Sequence, residues 1–138
     1  MSASPFLDTN VLIYSVATND ARSEIAETLL AAGGVVSVQV CNEFAATARR
    51  KLGMSWDDIA AALDAIRILC PFPRAISMAT HDMAVKIART HGFHIYDALV
   101  VASALAAHCE TLYTEDLQDG QVIEERLTIR NPFKAVEG

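Results

Sequence analysis

Cysteine is scarce and unpaired in this chain: Cys41, Cys70 and Cys109 are odd in number, widely spaced and set among apolar neighbours. That excludes a CxxC redox or zinc motif and a disulfide framework, and leaves three reduced core thiols. Nothing in the sequence around them supplies the base or electropositive setting that a thiol nucleophile needs. Long apolar runs are missing as well. The longest nearly apolar stretch, 98–107, is broken by Ser103 and falls short of the ~20 residues of a membrane span, so it reads as a core helix and not as a membrane anchor. Residues 1–5 carry neither a basic region nor an apolar signal core, which gives the expectation of a cytoplasmic protein. Repeats, low-complexity tracts and Pro/Ser-rich linkers are also missing. The 138 residues, 52% hydrophobic, therefore read as one globular domain over 1–138.

Positive charge is short: 11 Lys and Arg stand against 17 Asp and Glu, for a net charge of −6. Taken alone, that argues against a nucleic-acid partner, whose affinity comes largely from phosphate neutralisation. Four carboxylates gathered around a cation weaken the objection, since setting them aside from the −6 leaves −2. The basic residues are also uneven. Arg49-Arg50-Lys51 are consecutive, and Arg67, Arg74, Lys86 and Arg89 fall in later helical regions. Each taken singly reads as solvated helix surface, and together they are compatible with a local phosphate-binding face.

What is present is an alternation of short strands and helices, the pattern of an α/β domain with a parallel sheet. Pro5-Phe6-Leu7 predicts a first strand and 9–16 a helix. A second helical pattern begins at Asp20, with Ile25, Leu29 and Leu30 on one face, and Gly33-Gly34 stops it. Val35-Val36-Ser37-Val38 predicts a buried strand, followed by a helix over about 40–51 with Gly53 as terminator and Glu43 in its first turn. Ser55-Trp56-Asp57-Asp58 resembles a helix start, and Ile59, Leu63, Ile66 and Leu69 give that helix an apolar face before Pro71 and Pro73 end it. Helices over 77–91 and 95–109 follow, the second with Asp97 in its opening turn, where the macrodipole favours an anion. The chain closes with a strand around Leu112, a turn at Asp119-Gly120, and an edge strand over 127–129 that ends at Asn131-Pro132-Phe133.

Four acids stand where these elements change. Asp8 follows Phe6-Leu7, and Asp116 follows Thr111-Leu112-Tyr113-Thr114, so both lie at strand C-terminal ends. In a parallel α/β sheet the ligand crevice lies outside those ends. Glu43 and Asp97 can join them from helices that start at the same edge. Four carboxylates in one low-dielectric site repel, and a hard divalent cation, Mg2+ or Mn2+, is the ordinary compensation. The remaining acids at Asp57, Asp58, Asp64, Asp82, Glu124 and Glu125 read as solvated. His91 and His94 have HxxH spacing, but Gly92 between them and the lack of a third ligand argue against zinc.

The segments Phe6-Leu7-Asp8-Thr9-Asn10-Val11-Leu12, Glu43, Tyr96-Asp97-Ala98, Leu112-Tyr113-Thr114-Glu115-Asp116-Leu117-Gln118 and Asn131-Pro132-Phe133 together resemble PIN-domain ribonucleases, specifically the VapC-like toxins of toxin–antitoxin pairs. The resemblance covers nearly the whole chain. It implies a three-layer α/β/α sandwich with a central, mainly parallel sheet, and a metal site lined by Asp8, Glu43, Asp97 and Asp116. Asn10 and Thr114 would support that site, the one through its amide and the other through its hydroxyl; helix capping and a strand position explain the same two residues equally well. Glu115 is adjacent to Asp116, and neighbours in a strand point to opposite faces, so it is the fallback if the register slips. Asp119 reads first as a turn residue. The implied activity is Mg2+- or Mn2+-dependent endoribonuclease cleavage, with a cognate antitoxin, homodimerisation and an RNA substrate as the implied partners.

Three other activities are compatible with an acidic metal pocket: a DNA-directed metallonuclease, an acidic nucleic-acid-binding or receiver-like module that cuts nothing, and an aspartyl-phosphate phosphatase. The last wants Asp-x-Asp after its first strand, where this chain has Asp8-Thr9-Asn10. A receiver wants a Lys at a later strand end, and 112–116 contains none.

Overall fold

The computed structural model describes residues 4–137, so residues 1–3, on which the expectation of no signal core partly rests, lie outside it, as does Gly138. The chain runs β1 (Phe6–Leu7), α1 (Thr9–Val16), α2 (Ser23–Ala31), α3 (Val38–Lys51), α4 (Trp56–Leu69), α5 (Met78–His91), α6 (Ile95–Ala106), β2 (Thr111–Tyr113), β3 (Val122–Ile123) and β4 (Leu127–Arg130), then a short 3-10 turn, Lys134–Val136. The four strands form one sheet in the order β1-β2-β4-β3. β1, β2 and β4 are parallel, with Phe6 opposite Leu112 and Leu112 opposite Ile129. β3 joins β4 antiparallel. The parallel strands are apolar throughout their buried positions because helices cover the sheet. Phe6, Leu7, Leu112, Leu127 and Ile129 are fully buried and share one core with Phe44 and Phe133. Each such Leu or Phe contributes about 2–3 kcal/mol relative to exposure.

Local chemistry sets most helix ends. Ser37, Ser55 and Ser77 accept from the backbone N–H groups of Val40, Asp58 and Thr80, each at 3.1 Å, and so cap α3, α4 and α5. Gly92 ends α5 at φ +72°, a conformation that glycine adopts without strain. Gly34 has a different reason to be glycine: a Cβ there would lie 2.9 Å from the Pro5 carbonyl and 3.0 Å from Leu7 Cγ. The bare backbone lets the crossover run hard against β1.

Several expectations need correction. Val35-Val36-Ser37-Val38 is not a strand: Val35 bridges Phe6 and Ser37 bridges Arg74 in isolation, because the Ser37 hydroxyl already caps α3. Val38 is consequently the first residue of α3 and is 45% exposed. The earlier start moves Glu43 from the first turn of that helix into its second. α2 begins at Ser23, since Asp20 turns back to accept from the Arg22 backbone N–H and guanidinium. α6 stops at Ala106, where His108 adopts φ +58° and redirects the chain into β2. β4 is no edge strand, because β3 lies outside it. Of the apolar face read in α4, Ile59 and Ile66 are buried, whereas Leu69 is 37% exposed. Trp56 is 59% exposed and lies beneath the Arg49 guanidinium at 5.4 Å.

Among the described residues, no helix is long and apolar enough to cross a membrane.

Candidate active site

β1 and β2 run parallel and finish at the same edge, so Asp8 and Thr114, the residues that follow them, emerge side by side. The Asp8 N–H donates to the Tyr113 carbonyl at 3.1 Å, and the Thr114 N–H donates to Arg130 at 3.0 Å, fixing both backbones to the neighbouring strand. Asp8 is 5% exposed. One carboxylate oxygen, Oδ1, accepts from the Thr9 N–H and caps α1; the other, Oδ2, accepts from the Thr114 hydroxyl, both at 2.7 Å. Thr114, fully buried, also accepts from the Asn10 side-chain amide at 3.2 Å and from the Asp116 N–H at 3.1 Å. The same Asn10 amide reaches Asp116 Oδ2 at 3.3 Å. Thr114 is therefore the hub that orients Asp8, Asn10 and the turn carrying Asp116.

Glu43 arrives from α3 with Gln39, one turn earlier, donating to its Oε1 at 3.2 Å. Asp97 arrives from the first turn of α6. Asp8, Glu43 and Asp97 are each raised in part by the charge of another acid of the group. Burial pushes the Asp8 carboxyl from the ordinary 3.8 to about 6, and the charges of Asp116 and Glu43 add to that, while the hydrogen bonds from Thr114 and Thr9 oppose it. Glu43 is raised by burial and then by Asp97 and Asp116. Asp97 is raised by burial and Asp116, with His94 opposing.

Every side chain gathered here offers oxygen, which suits a hard cation. Asn10 Oδ1 is buried without a hydrogen-bond partner, an acceptor left over at the centre of the group. Among the described residues, no three His, Cys, Asp or Glu side chains close into a ready-made metal cage. An open set of carboxylates is the arrangement Mg2+ favours, since that ion keeps several of its own waters and avoids all-protein cages. The donor set thus fits a hydrated divalent ion.

Glu115 belongs to a second constellation. Its Oε1 accepts from the Tyr14 hydroxyl at 2.5 Å, and its buried Oε2, which receives no hydrogen bond, is balanced by the Arg22 guanidinium at 3.6 Å. Arg22 lies over the Tyr14 ring at 4.0 Å and makes a two-pronged pair with Asp20, 2.9 Å on each prong. The Tyr14 hydroxyl is held well above its usual range by burial and by Glu115. Sequence reasoning missed Tyr14, Arg22 and Asp20. The one signal was that Tyr14 follows Asn10 by four residues, which puts both on the same face of α1. Asp119 instead accepts from the Asn131 N–H at 2.8 Å and pairs with Lys134 at 3.6 Å, tying down the last turn. His94 is exposed at the start of α6, and His91 stacks on Phe93 at 5.4 Å.

A cavity of about 390 Å3 opens between α1 and α3, and its lining includes Asn10, Glu43 and Asp116 together with Tyr14 and Glu115. A more apolar hollow of about 450 Å3 lies between α3 and α4, around Val38, Cys41 and Leu63, and includes none of the four acids.

The family model of the PIN domain matches residues 6–118. No curated protein matches the chain closely enough to count as a relative. Among solved structures, a toxin–antitoxin complex from Klebsiella pneumoniae superposes with TM-score 0.70 at 19% identity, covering 94% of this chain and 98% of that one. VapC20 of Mycobacterium tuberculosis, a sarcin–ricin-loop-cleaving toxin, gives TM-score 0.63 at 22% identity, covering 82% and 92%. VapBC2 of Rickettsia felis, bound to a promoter DNA fragment, gives 0.66 at 18%, covering 92% and 97%. At those identities the likeness establishes a shared fold. With a family match that runs from β1 through the turn carrying Asp116, this chain belongs to the PIN-domain family.

Proposed function

We propose that this protein is a divalent-metal-dependent endoribonuclease and the toxin of a VapC-like toxin–antitoxin pair. The observation that carries the reading is Asp8: a carboxylate 5% exposed, raised to about 6, and surrounded by Asp116 and Glu43 at the open edge of a PIN sheet. A buried acid facing two further acids is unfavourable in isolation and becomes favourable with a cation among them. The fold shared with two toxin–antitoxin complexes supports a cognate antitoxin, and that shared with a sarcin–ricin-loop-cleaving toxin supports an RNA substrate; homodimerisation is part of the same proposal.

In this reading Asp8, Glu43, Asp97 and Asp116 hold Mg2+ or Mn2+. A divalent ion bound there supplies a water of lowered pKa and charge stabilisation at the scissile phosphate. The chain's own residues do the positioning. Thr114 holds Asp8 Oδ2 through its hydroxyl and the Asp116 N–H through its oxygen, so the two carboxylates keep a fixed relation. Asn10 directs its amide at Asp116 and leaves its buried Oδ1 without a partner, an acceptor that could help to hold a bound divalent ion. Gln39 orients Glu43 from the facing helix. No protein nucleophile is required, and the products carry 5′-phosphate and 3′-hydroxyl ends.

The test is cleavage of a labelled mixed cellular RNA pool by purified, antitoxin-free protein in Mg2+ or Mn2+, beside EDTA and Asp97→Asn controls. Discrete products lost in both controls are expected. Cleavage that survives Asp97→Asn would overturn the assignment of the site, and folded, metal-loaded protein that binds RNA without cutting it would leave a binding module.

A further inference from the structure

We propose that the trough leading away from the acidic centre along α3 carries the flanking portion of a single-stranded RNA, with Lys51 as the residue that grips its phosphate. This rests on the ribonuclease reading above. One wall of the trough is a single face of α3: Glu43, Thr47 and Lys51, four residues apart, all line it. Lys51 lies two turns from Glu43, about 12 Å along the helix by the rise of 1.5 Å per residue. That is too far to share the phosphate held at the acids and suits a neighbouring one. Apolar lining comes from Ile13 of α1, Ala17 just beyond it and Leu52 after α3, and the Tyr14 ring lines the trough as well, so a base or ribose has surface to lie on.

Charge distinguishes Lys51 from the other cations. The other charged residues on the trough, Asp20, Glu43, Glu115 and Asp116, are all acidic, and Lys51 is the one Lys or Arg on its lining among the described residues. A polyanion crossing such a wall needs a cationic foothold beyond the scissile group. Lys51 is exposed and makes no ion pair among the described residues, whereas Arg22 is locked to Asp20 and Lys134 to Asp119. A role in balancing the C-terminal dipole of α3 does not single out Lys51, because Arg49 and Arg50 stand in the same last turn. Those two do not line the trough, and Arg49 is engaged by the Met54 carbonyl and the Trp56 ring. One cation facing one row of phosphates matches a single backbone, and the recognised chemistry is a phosphodiester of unpaired RNA.

The test uses fluorescence anisotropy of an end-labelled, unstructured single-stranded RNA over a range of monovalent salt at fixed Mg2+, with Asp97→Asn protein to prevent turnover. Adding Lys51→Gln should weaken binding several-fold and flatten the slope of log affinity against log salt by about 0.7, the value of one single-strand phosphate contact. Adding Lys51→Arg should keep the slope, as should Arg50→Gln, which removes a neighbouring charge outside the trough. In otherwise wild-type protein, Lys51→Gln should raise KM for RNA cleavage with kcat unchanged. Tight RNA binding with the same salt slope for Lys51→Gln overturns the inference and leaves the nuclease intact. Wild-type protein that neither binds nor cuts RNA removes the nuclease reading and the inference with it.

Discussion

Raising the pH of the metal-free protein through the range between about 4 and 6 should destabilise it, and the magnitude follows from Asp8. Its carboxyl titrates at the ordinary 3.8 when unfolded and at about 6 when folded. Below 3.8 both states hold the proton and the group is neutral in the balance. Between the two values the folded state keeps a proton that the unfolded state has lost, so stability falls by about 1.4 kcal/mol per pH unit. Above 6 both are ionised and the loss levels off at about 3 kcal/mol, an order-of-magnitude value needing little solvent discount because Asp8 is 5% exposed. Glu43 and Asp97 are raised too and act in the same direction, more weakly because solvent screens them. Asp20 and Asp119 are lowered, so their stabilisation is lost only as pH falls below the ordinary 3.8, outside this window. Urea unfolding followed by far-ultraviolet circular dichroism, in EDTA at several pH values, measures the effect. Saturating Mg2+ at pH 7 should restore stability, by about 2.7 kcal/mol at a concentration one hundred times its Kd. Metal-free stability that climbs from pH 4 to 6, or Mg2+ that leaves the urea midpoint unchanged, would refute the reasoning.

Thr114→Val removes the hub hydroxyl with little change of shape and should cost about 2 kcal/mol in urea unfolding. Because that hydroxyl lowers the Asp8 pKa, the acidic limb of the cleavage pH profile should also move to higher pH. Asp116→Asn should abolish cleavage in a folded protein, whereas Glu115→Gln, which alters the Tyr14–Arg22 constellation, should lower the melting temperature and keep metal-dependent activity; the reverse ranking in paired cleavage and melting assays would exchange their roles. Gly34→Ala should be strongly destabilising, since its new Cβ would meet the Pro5 carbonyl at 2.9 Å, and a melting temperature equal to wild type would show that the crossover can yield.

The parts of the fold legible in the sequence were those governed by neighbours a few residues away. α1 runs Thr9–Val16, the span read as a helix following the first strand, and the Ser55 and Ser77 caps are short-range chemistry that a sequence displays directly. The Asp8 and Asp116 settings were readable because each acid follows a strand, and parallel strands finish together. Val35–Val38 misled because an apolar β-branched run is a strand signal only if a partner offers a full ladder, and here β1 offers one bridge while Ser37 caps a helix. The inner position of β4 depends on β3, a two-residue strand too short to carry a periodic signal. The Tyr14, Arg22 and Glu115 cluster joins residues about a hundred positions apart, and no local pattern announces such a contact.

The most direct measurement of the central claim is the chemistry of the cut ends. RNA cleaved by wild-type protein in Mg2+ should carry 3′-hydroxyl ends that poly(A) polymerase extends without prior phosphatase treatment, with 5′-phosphates on the partner fragments, and EDTA should suppress both. Fragments ending in 2′,3′-cyclic phosphate, formed equally well in EDTA, would mean that the ribose hydroxyl attacks without a metal, and would contradict hydrolysis at the carboxylate centre.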